Sequence, residues 1–215
     1  MLSPSRPAHM ITLILVAASV LLLSCESDQQ RAAQVSIKPA GIIGDTTGPF
    51  AGRENIFGNI QDLAGGNDGH LYVLDERWKE IRQYSRDGQL LSSIMLSIGK
   101  GPGTIRFIGA FDVGSDGRFY LTSRRGRQVN ILTAGGMPDG RFPVQIAPTN
   151  IAVESGDIYL TGFWPTTSGA LVHRYSASGE EQAAFLEKPA GWMEIAEAGN
   201  FERIAVTDRG TLIYS

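Results

Sequence analysis

Three short stretches of the 215-residue chain group cations with aromatic rings. They are Glu76-Arg77-Trp78-Lys79, Arg124-Arg125-Gly126-Arg127 and Phe163-Trp164-Pro165-Thr166-Thr167. An arginine fork grips carboxylates and phosphates with two parallel hydrogen bonds. Trp and Phe offer flat apolar surfaces on which sugars or peptides stack. Trp and Arg are also enriched among the residues that carry most of an interface's binding energy. Lys100, set among Gly99, Gly101 and Gly103, adds one more cation. The candidate ligand-binding set is therefore Arg77, Trp78, Lys79, Lys100, Arg124, Arg125, Arg127, Phe163 and Trp164. The plainer reading is a set of solvated loops with incidental aromatics. Groups suited to bond-breaking chemistry are sparse. Beyond residue 25 the histidines are His70 and His173, and neither has a partner at H-E-x-x-H spacing. There is no G-x-S-x-G elbow and no P-loop lysine. Asp75, Asp112, Asp157 and Asp208 recur at similar places along the chain. A central ion held by several of them is one reading; capping of turns and strand ends is the simpler one. No catalytic residue, metal ligand or cofactor is assigned.

Each basic cluster lies between two β-like segments, and the segments repeat. Leu71–Asp75 follows the turn Asn67-Asp68-Gly69, and Phe119–Ser123 follows Ser115-Asp116-Gly117. Ile158–Thr161 follows Glu154-Ser155-Gly156, and Leu212–Ser215 follows Asp208-Arg209-Gly210. A further segment then ends in its own turn: Ile81–Tyr84, Val129–Leu132 and Val172–Tyr175. Segments before each unit (Ile60–Ala64, Ala110–Val113, Asn150–Val153, Arg203–Val206) and after some of them (Gln89–Leu96, Glu181–Leu186) complete groups of four. The chain holds 26 Gly and 10 Pro, and the D-G and S-G pairs supply the positive φ that tight hairpins need. Tyr72 and Leu74 alternate with Leu71 and Val73, so both faces are apolar, as for a strand covered on both sides. Four antiparallel strands in roughly 45 residues make the blade of a β-propeller. The fold class is all-β, with about four such blades present of six. A β-sandwich or an up-and-down barrel is the alternative. In a propeller the links between strands two and three share one end with the blade-to-blade links, and the D-G turns lie at the other. The basic clusters thus converge on one face.

The text IQDLAGGNDGHLYVLDERWKEIRQYSRDGQLLSSI, followed by IGKGPGTIRFIGAFDVGSDGRFYLTS, resembles the NHL-type six-bladed β-propellers, in particular their bacterial lipoprotein members. GIIGDTTGPFAGRENIFGNI is similar to the entry into the first blade of such proteins. The resemblance covers residues 35–215 and is strongest over 58–123. It departs at Thr122-Ser123, where the pattern prefers Val-Asp, and in a shorter third unit. Six blades need roughly 270 residues, so the resemblance implies a reading frame that lacks about 80–120 of them. The alternative is a four-bladed ring that recruits residues 35–43 to complete its last blade.

The amino-terminal segment carries Arg6 and His9, then the apolar run Ile11–Leu23. That run is too short for a bilayer span of roughly 20 residues and fits a secretory signal. Leu22-Leu23-Ser24-Cys25 resembles the lipobox of bacterial lipoproteins, which implies that the thiol of Cys25, the only cysteine, carries a lipid. An ordinary signal peptide or membrane anchor that happens to end in Cys is the alternative. The domain map is then residues 1–24 signal peptide, 25–34 flexible tether and 35–215 propeller. Glu26 after the cysteine implies, in a Gram-negative host, passage to the outer membrane. Net charge −3 opposes a nucleic-acid partner, and one cysteine excludes a disulfide scaffold. The expected function is a lipid-anchored extracytoplasmic module of the bacterial cell envelope that binds or scaffolds a protein, peptide or glycan. The alternative is a metal-dependent propeller hydrolase or lyase with ligands partly in further blades.

Overall fold

The computed structural model describes residues 43, 56–99, 104–105, 107–123, 125–162, 169–187, 204–206 and 212–214. The chain divides into residues 1–40 and 41–215, and all of the described residues belong to the second unit. The expected signal peptide, tether and Cys25 lie outside the described residues.

The described residues form fourteen strands. The first blade is β1 (Ile60–Gly65), β2 (Leu71–Asp75), β3 (Glu80–Tyr84) and β4 (Leu90–Met95). The second is β5 (Ile108–Val113), β6 (Phe119–Ser123), β7 (Gln128–Leu132) and β8 (Pro138–Pro143). The third is β9 (Pro148–Glu154), β10 (Asp157–Gly162), β11 (Ala170–Tyr175) and β12 (Glu181–Glu187). β13 (Ile204–Val206) and β14 (Leu212–Tyr214) form a further antiparallel pair. Each blade is an antiparallel meander in strand order.

The turns explain the regularity. In five hairpins an N–H···O bond closes a β-turn and a second bond spans the following glycine. Gly66 to Gly69 and His70 is one example, and Ser176 to Gly179 and Glu180 is another. The glycine at the fourth position has φ between 77 and 86°, as in a type I turn followed by a bulge. The β9–β10 hairpin differs: Ser155 and Gly156 have φ of 51 and 87°, the signature of a two-residue type I′ turn.

Burial follows position within the blade. β6 is buried along its whole length, because its two faces meet the first and third blades, and β2 is nearly as buried. The outer strand β4 alternates between exposed and half-buried. Leu74 and Ile81 of the first blade pack with Phe111, Phe119 and Leu121 of the second. Tyr72 meets Phe119 edge-on, with ring centroids 5.5 Å apart. Tyr120, Val129 and Phe142 pack in turn with Ile151, Ile158 and Tyr175 of the third. The inner strands are stitched as well. Phe111 N–H donates to Asp62 at 2.9 Å, and Val153 N–H donates to Asp112 at 2.7 Å. β1 lies against β5, β5 against β9, and β9 against β13. Successive meanders joined inner strand to inner strand make this part of a β-propeller.

One strand differs from the sequence reading. β8, Pro138-Asp139-Gly140-Arg141-Phe142-Pro143, is a fourth strand that its residues do not advertise. Proline and glycine are tolerated there because the strand is outermost and its free edge needs no ladder partner. Only Phe142 in it is buried.

Candidate binding face

The antiparallel order places two kinds of connection at opposite ends of each blade. The β1–β2 and β3–β4 turns lie at one end, the turn end. The β2–β3 connection and the entry into β1 lie at the other, the link end.

At the link end of the first blade Asp75 organises the backbone. Its buried carboxylate accepts N–H groups from Gly58 at 2.6 Å, Asn59 at 3.1 Å, Arg77 at 3.0 Å and Trp78 at 3.1 Å. One side chain thus ties the entry segment to the basic link. Carboxylate acceptors are the stronger kind of hydrogen-bond partner, which suits a site that must hold a loop still. Gly58 allows the close approach: a Cβ there would sit 2.7 Å from Arg77 Cβ and 2.8 Å from the indole nitrogen of Trp78. Below it, the buried Arg82–Glu80 ion pair, 2.6 Å, also reaches the carbonyl of Ile56 at 2.7 Å. In the second blade Ser123 takes the place of Asp75, and its hydroxyl accepts Gly126 N–H at 3.2 Å. In the third blade the equivalent residue is Gly162.

Two cation–aromatic pairs involve these links, in addition to Arg82–Phe57 at 5.3 Å and, at the turn end, Arg118–Tyr120 at 5.8 Å. The Arg77 guanidinium lies 5.9 Å from the centre of the Trp78 ring. That of Arg125 lies 4.8 Å from the Phe107 ring. Arg77, Arg125, Arg127 and Phe107 are exposed, and Trp78 and Lys79 are half-buried. Lys79 reaches Glu76 at 3.5 Å, and Glu76 also accepts from Asn59 at 2.9 Å. Arg127 donates to the carbonyl oxygen of Gln145. The structure therefore gathers Arg77, Trp78 and Lys79 on one link, and Arg125 and Arg127 on the next. Lys100, Arg124, Phe163 and Trp164 lie outside the described residues.

Phe107 was absent from the sequence-derived set. It precedes β5 at the link end, and its φ is +55°. No neighbouring residue type signals that conformation. The nearest clue is its place four residues after Gly103, the last glycine of the segment that follows the first blade.

At the turn end several charged side chains are paired with one another. Arg118 binds Asp116 at 2.7 Å and Asp139 at 3.3 Å. Asp68 accepts from Tyr72 at 2.8 Å and contacts His70 at 2.8 Å. Burial, then the hydrogen bond and charge of Asp68, push the Tyr72 phenol up to about 12. His173 is buried with its ring 2.8 Å from Glu181. Both histidines are thus bound to nearby carboxylates.

Asp62, Asp112, Asn150 and Glu154 line a recess along the inner strands. Burial pushes the Asp112 carboxyl up to about 6, reinforced by the charges of Asp62 and Glu154 and opposed by the N–H groups of Val153 and Val113. Asp75 and Asp112 both cap backbone N–H groups, and Asp157 pairs with Arg174 at 3.7 Å. Among the described residues no three His, Cys, Asp or Glu side chains are placed to hold a metal ion.

The fold and face define a β-propeller with a basic, aromatic link end. No protein-family profile matches the chain, and no curated protein matches it. Solved structures do. A Bacteroides fragilis protein with the working name of an exported protein superposes with a TM-score of 0.51 at 13% identity. The match covers 68% of this chain and 42% of that one. Virginiamycin B lyase from Staphylococcus aureus gives 0.46 at 13% identity, over 71% of this chain and 47% of that one. The WD40 repeats of RRP9 give 0.42 at 19% identity, over 59% and 36%. The chain spans about half the length or less of these structures. At such identities the likeness is one of fold.

Proposed function

We propose that this chain is a binding module whose link end docks a protein, peptide or glycan. The observation that carries the reading is the pair of exposed guanidiniums set beside aromatic rings, Arg77 at Trp78 and Arg125 at Phe107. Neither guanidinium has a carboxylate partner among the described residues, and each lies beside an aromatic ring. Arg82, Arg118 and Arg174 are instead paired with carboxylates, and Arg86 and Arg141 have neither a carboxylate nor a ring beside them among the described residues. A ring that covers one face of a guanidinium leaves the fork edge open to a ligand carboxylate or phosphate. It also orients the side chain, which lowers the entropy lost on binding.

The finer identity belongs to the same proposal. The chain is an NHL-type propeller of the bacterial envelope, held to a membrane by lipid on Cys25. The apolar run before Cys25 and the D-G repeat support it. Two acyl chains anchor stably where one does not. Cys25→Ser abolishes labelling by a palmitate analogue in this account; persistent labelling contradicts it.

The binding reading is tested on an array of peptides and glycans. The full chain captures a subset of them, and the variant Arg77→Ala/Trp78→Ala/Arg125→Ala loses at least about tenfold in affinity, the scale of a hot-spot deletion. Equal capture by both proteins overturns the proposed face.

A further inference from the structure

The last residue of the connection between the second and third strands adopts a left-handed backbone in each of the three described blades. It is Lys79 in the first, with φ of 55°, Arg127 in the second, with φ of 47°, and Gly169 in the third, with φ of 67°. The blade demands this geometry. The carbonyl of Lys79 accepts Leu96 N–H at 2.7 Å, and that of Arg127 accepts Val144 N–H at 2.9 Å. Each bond ties the link to the chain leaving the outer strand. Glycine meets the requirement without strain, as Gly169 does, whereas a residue with a Cβ is penalised there. Two blades nevertheless place a long basic side chain at this position. Phe107, also at positive φ, lies at the same end and carries Arg125.

We infer that Lys79 and Arg127 hold these strained positions to present cations to an acidic peptide that crosses the links of the first two blades. The inference rests on the binding reading above and adds the ligand class. The links 76–79 and 125–127 carry Arg77, Lys79, Arg125 and Arg127 against one carboxylate, Glu76, in a chain of net charge −3. Lys79 and Glu76 are both about 40% exposed, with side-chain values of 41% and 43%, and such a pair contributes little. The described rings, Trp78 and Phe107, each have a guanidinium beside them, so a sugar finds its stacking surface partly taken. Carboxylates of an extended acidic peptide instead meet fork edges and an ammonium.

The test uses the full chain and two probes, poly-L-glutamate and polygalacturonate. Lys79→Gly/Arg127→Gly relieves the strain, so Tm rises by about 4 °C, while affinity for poly-L-glutamate falls at least about tenfold. Lys79→Arg/Arg127→Lys keeps the charge and retains affinity within about threefold. The inference is overturned if the glycine variant keeps its affinity, if its Tm does not rise, or if polygalacturonate binds as tightly as poly-L-glutamate. A glycine variant that binds normally while Arg77→Ala/Arg125→Ala loses binding leaves the link end as the binding face and removes only this refinement.

Discussion

The two ends of the blades obey different rules. At the turn end one geometry recurs five times with glycine at its positive-φ position. Among the described residues there, only the β9–β10 turn places a residue with a Cβ, Ser155, at positive φ beside its glycine. Its charges neutralise each other locally, as Arg118 does between Asp116 and Asp139. At the link end the positive-φ positions carry Lys79, Phe107, Arg127 and Leu186 as well as Gly169, and Arg77 and Arg125 lie beside rings rather than carboxylates. The turn end follows local conformational preference. The link end departs from it at the residues best suited to grip another molecule. Backbone strain of this kind persists only where the surrounding structure holds it in place, and it tends to cluster at functional sites.

The largest expected effect lies beneath the link end. Asp75→Ala leaves four N–H groups without their acceptor. It is expected to cost about 3 kcal/mol or more, against about 1 kcal/mol for Ser123→Ala. Urea unfolding of both variants measures the contrast, and equal costs would remove the organising role of Asp75.

The turn end offers its own pair. Gly179→Ala combines a φ of 86° with a Cβ placed 2.4 Å from Phe142, so about 3 kcal/mol is expected. Gly69→Ala, with a φ of 77° and open space, is expected to cost about 1 kcal/mol. Thermal unfolding of the two variants separates backbone strain from blade-to-blade packing.

A third effect is pH-dependent. The Asp112 carboxyl titrates near 6 in the folded protein, because it is buried beside Asp62 and Glu154. Its unfolded value is about 4. The folded state therefore binds more proton between these values. The contribution of Asp112 to stability is fully present below about pH 4 and is lost as pH rises through 6, by on the order of 2 kcal/mol. Asp112→Asn flattens this part of the stability–pH curve; an unchanged slope contradicts the assignment.

Much of the fold was legible because glycine at positive φ and alternating apolar strands are local signals. Gly69, Gly117 and Gly156 marked their hairpins from residue type alone. β8 was not legible, since an outermost strand with one buried residue, Phe142, has little pattern to read. Arg77 and Trp78 were legible as neighbours in the chain. The Phe107–Arg125 pair was not, because it joins two separate connections at one end of the second blade through a backbone conformation that phenylalanine rarely adopts. The pKa of Asp112 likewise depends on charges brought in by other strands.

The smallest effect on stability is expected at the binding residues themselves. Arg77→Ala/Arg125→Ala removes exposed side chains and changes stability by less than about 0.5 kcal/mol. That variant makes the most direct measurement possible. Peptides captured by the full chain are titrated against it and against a turn-end control, Arg86→Ala/Arg118→Ala. The account predicts that affinity falls at least about tenfold in the link-end variant and stays within about twofold in the control. Equal losses at the two ends, or an unchanged link-end variant, would contradict it.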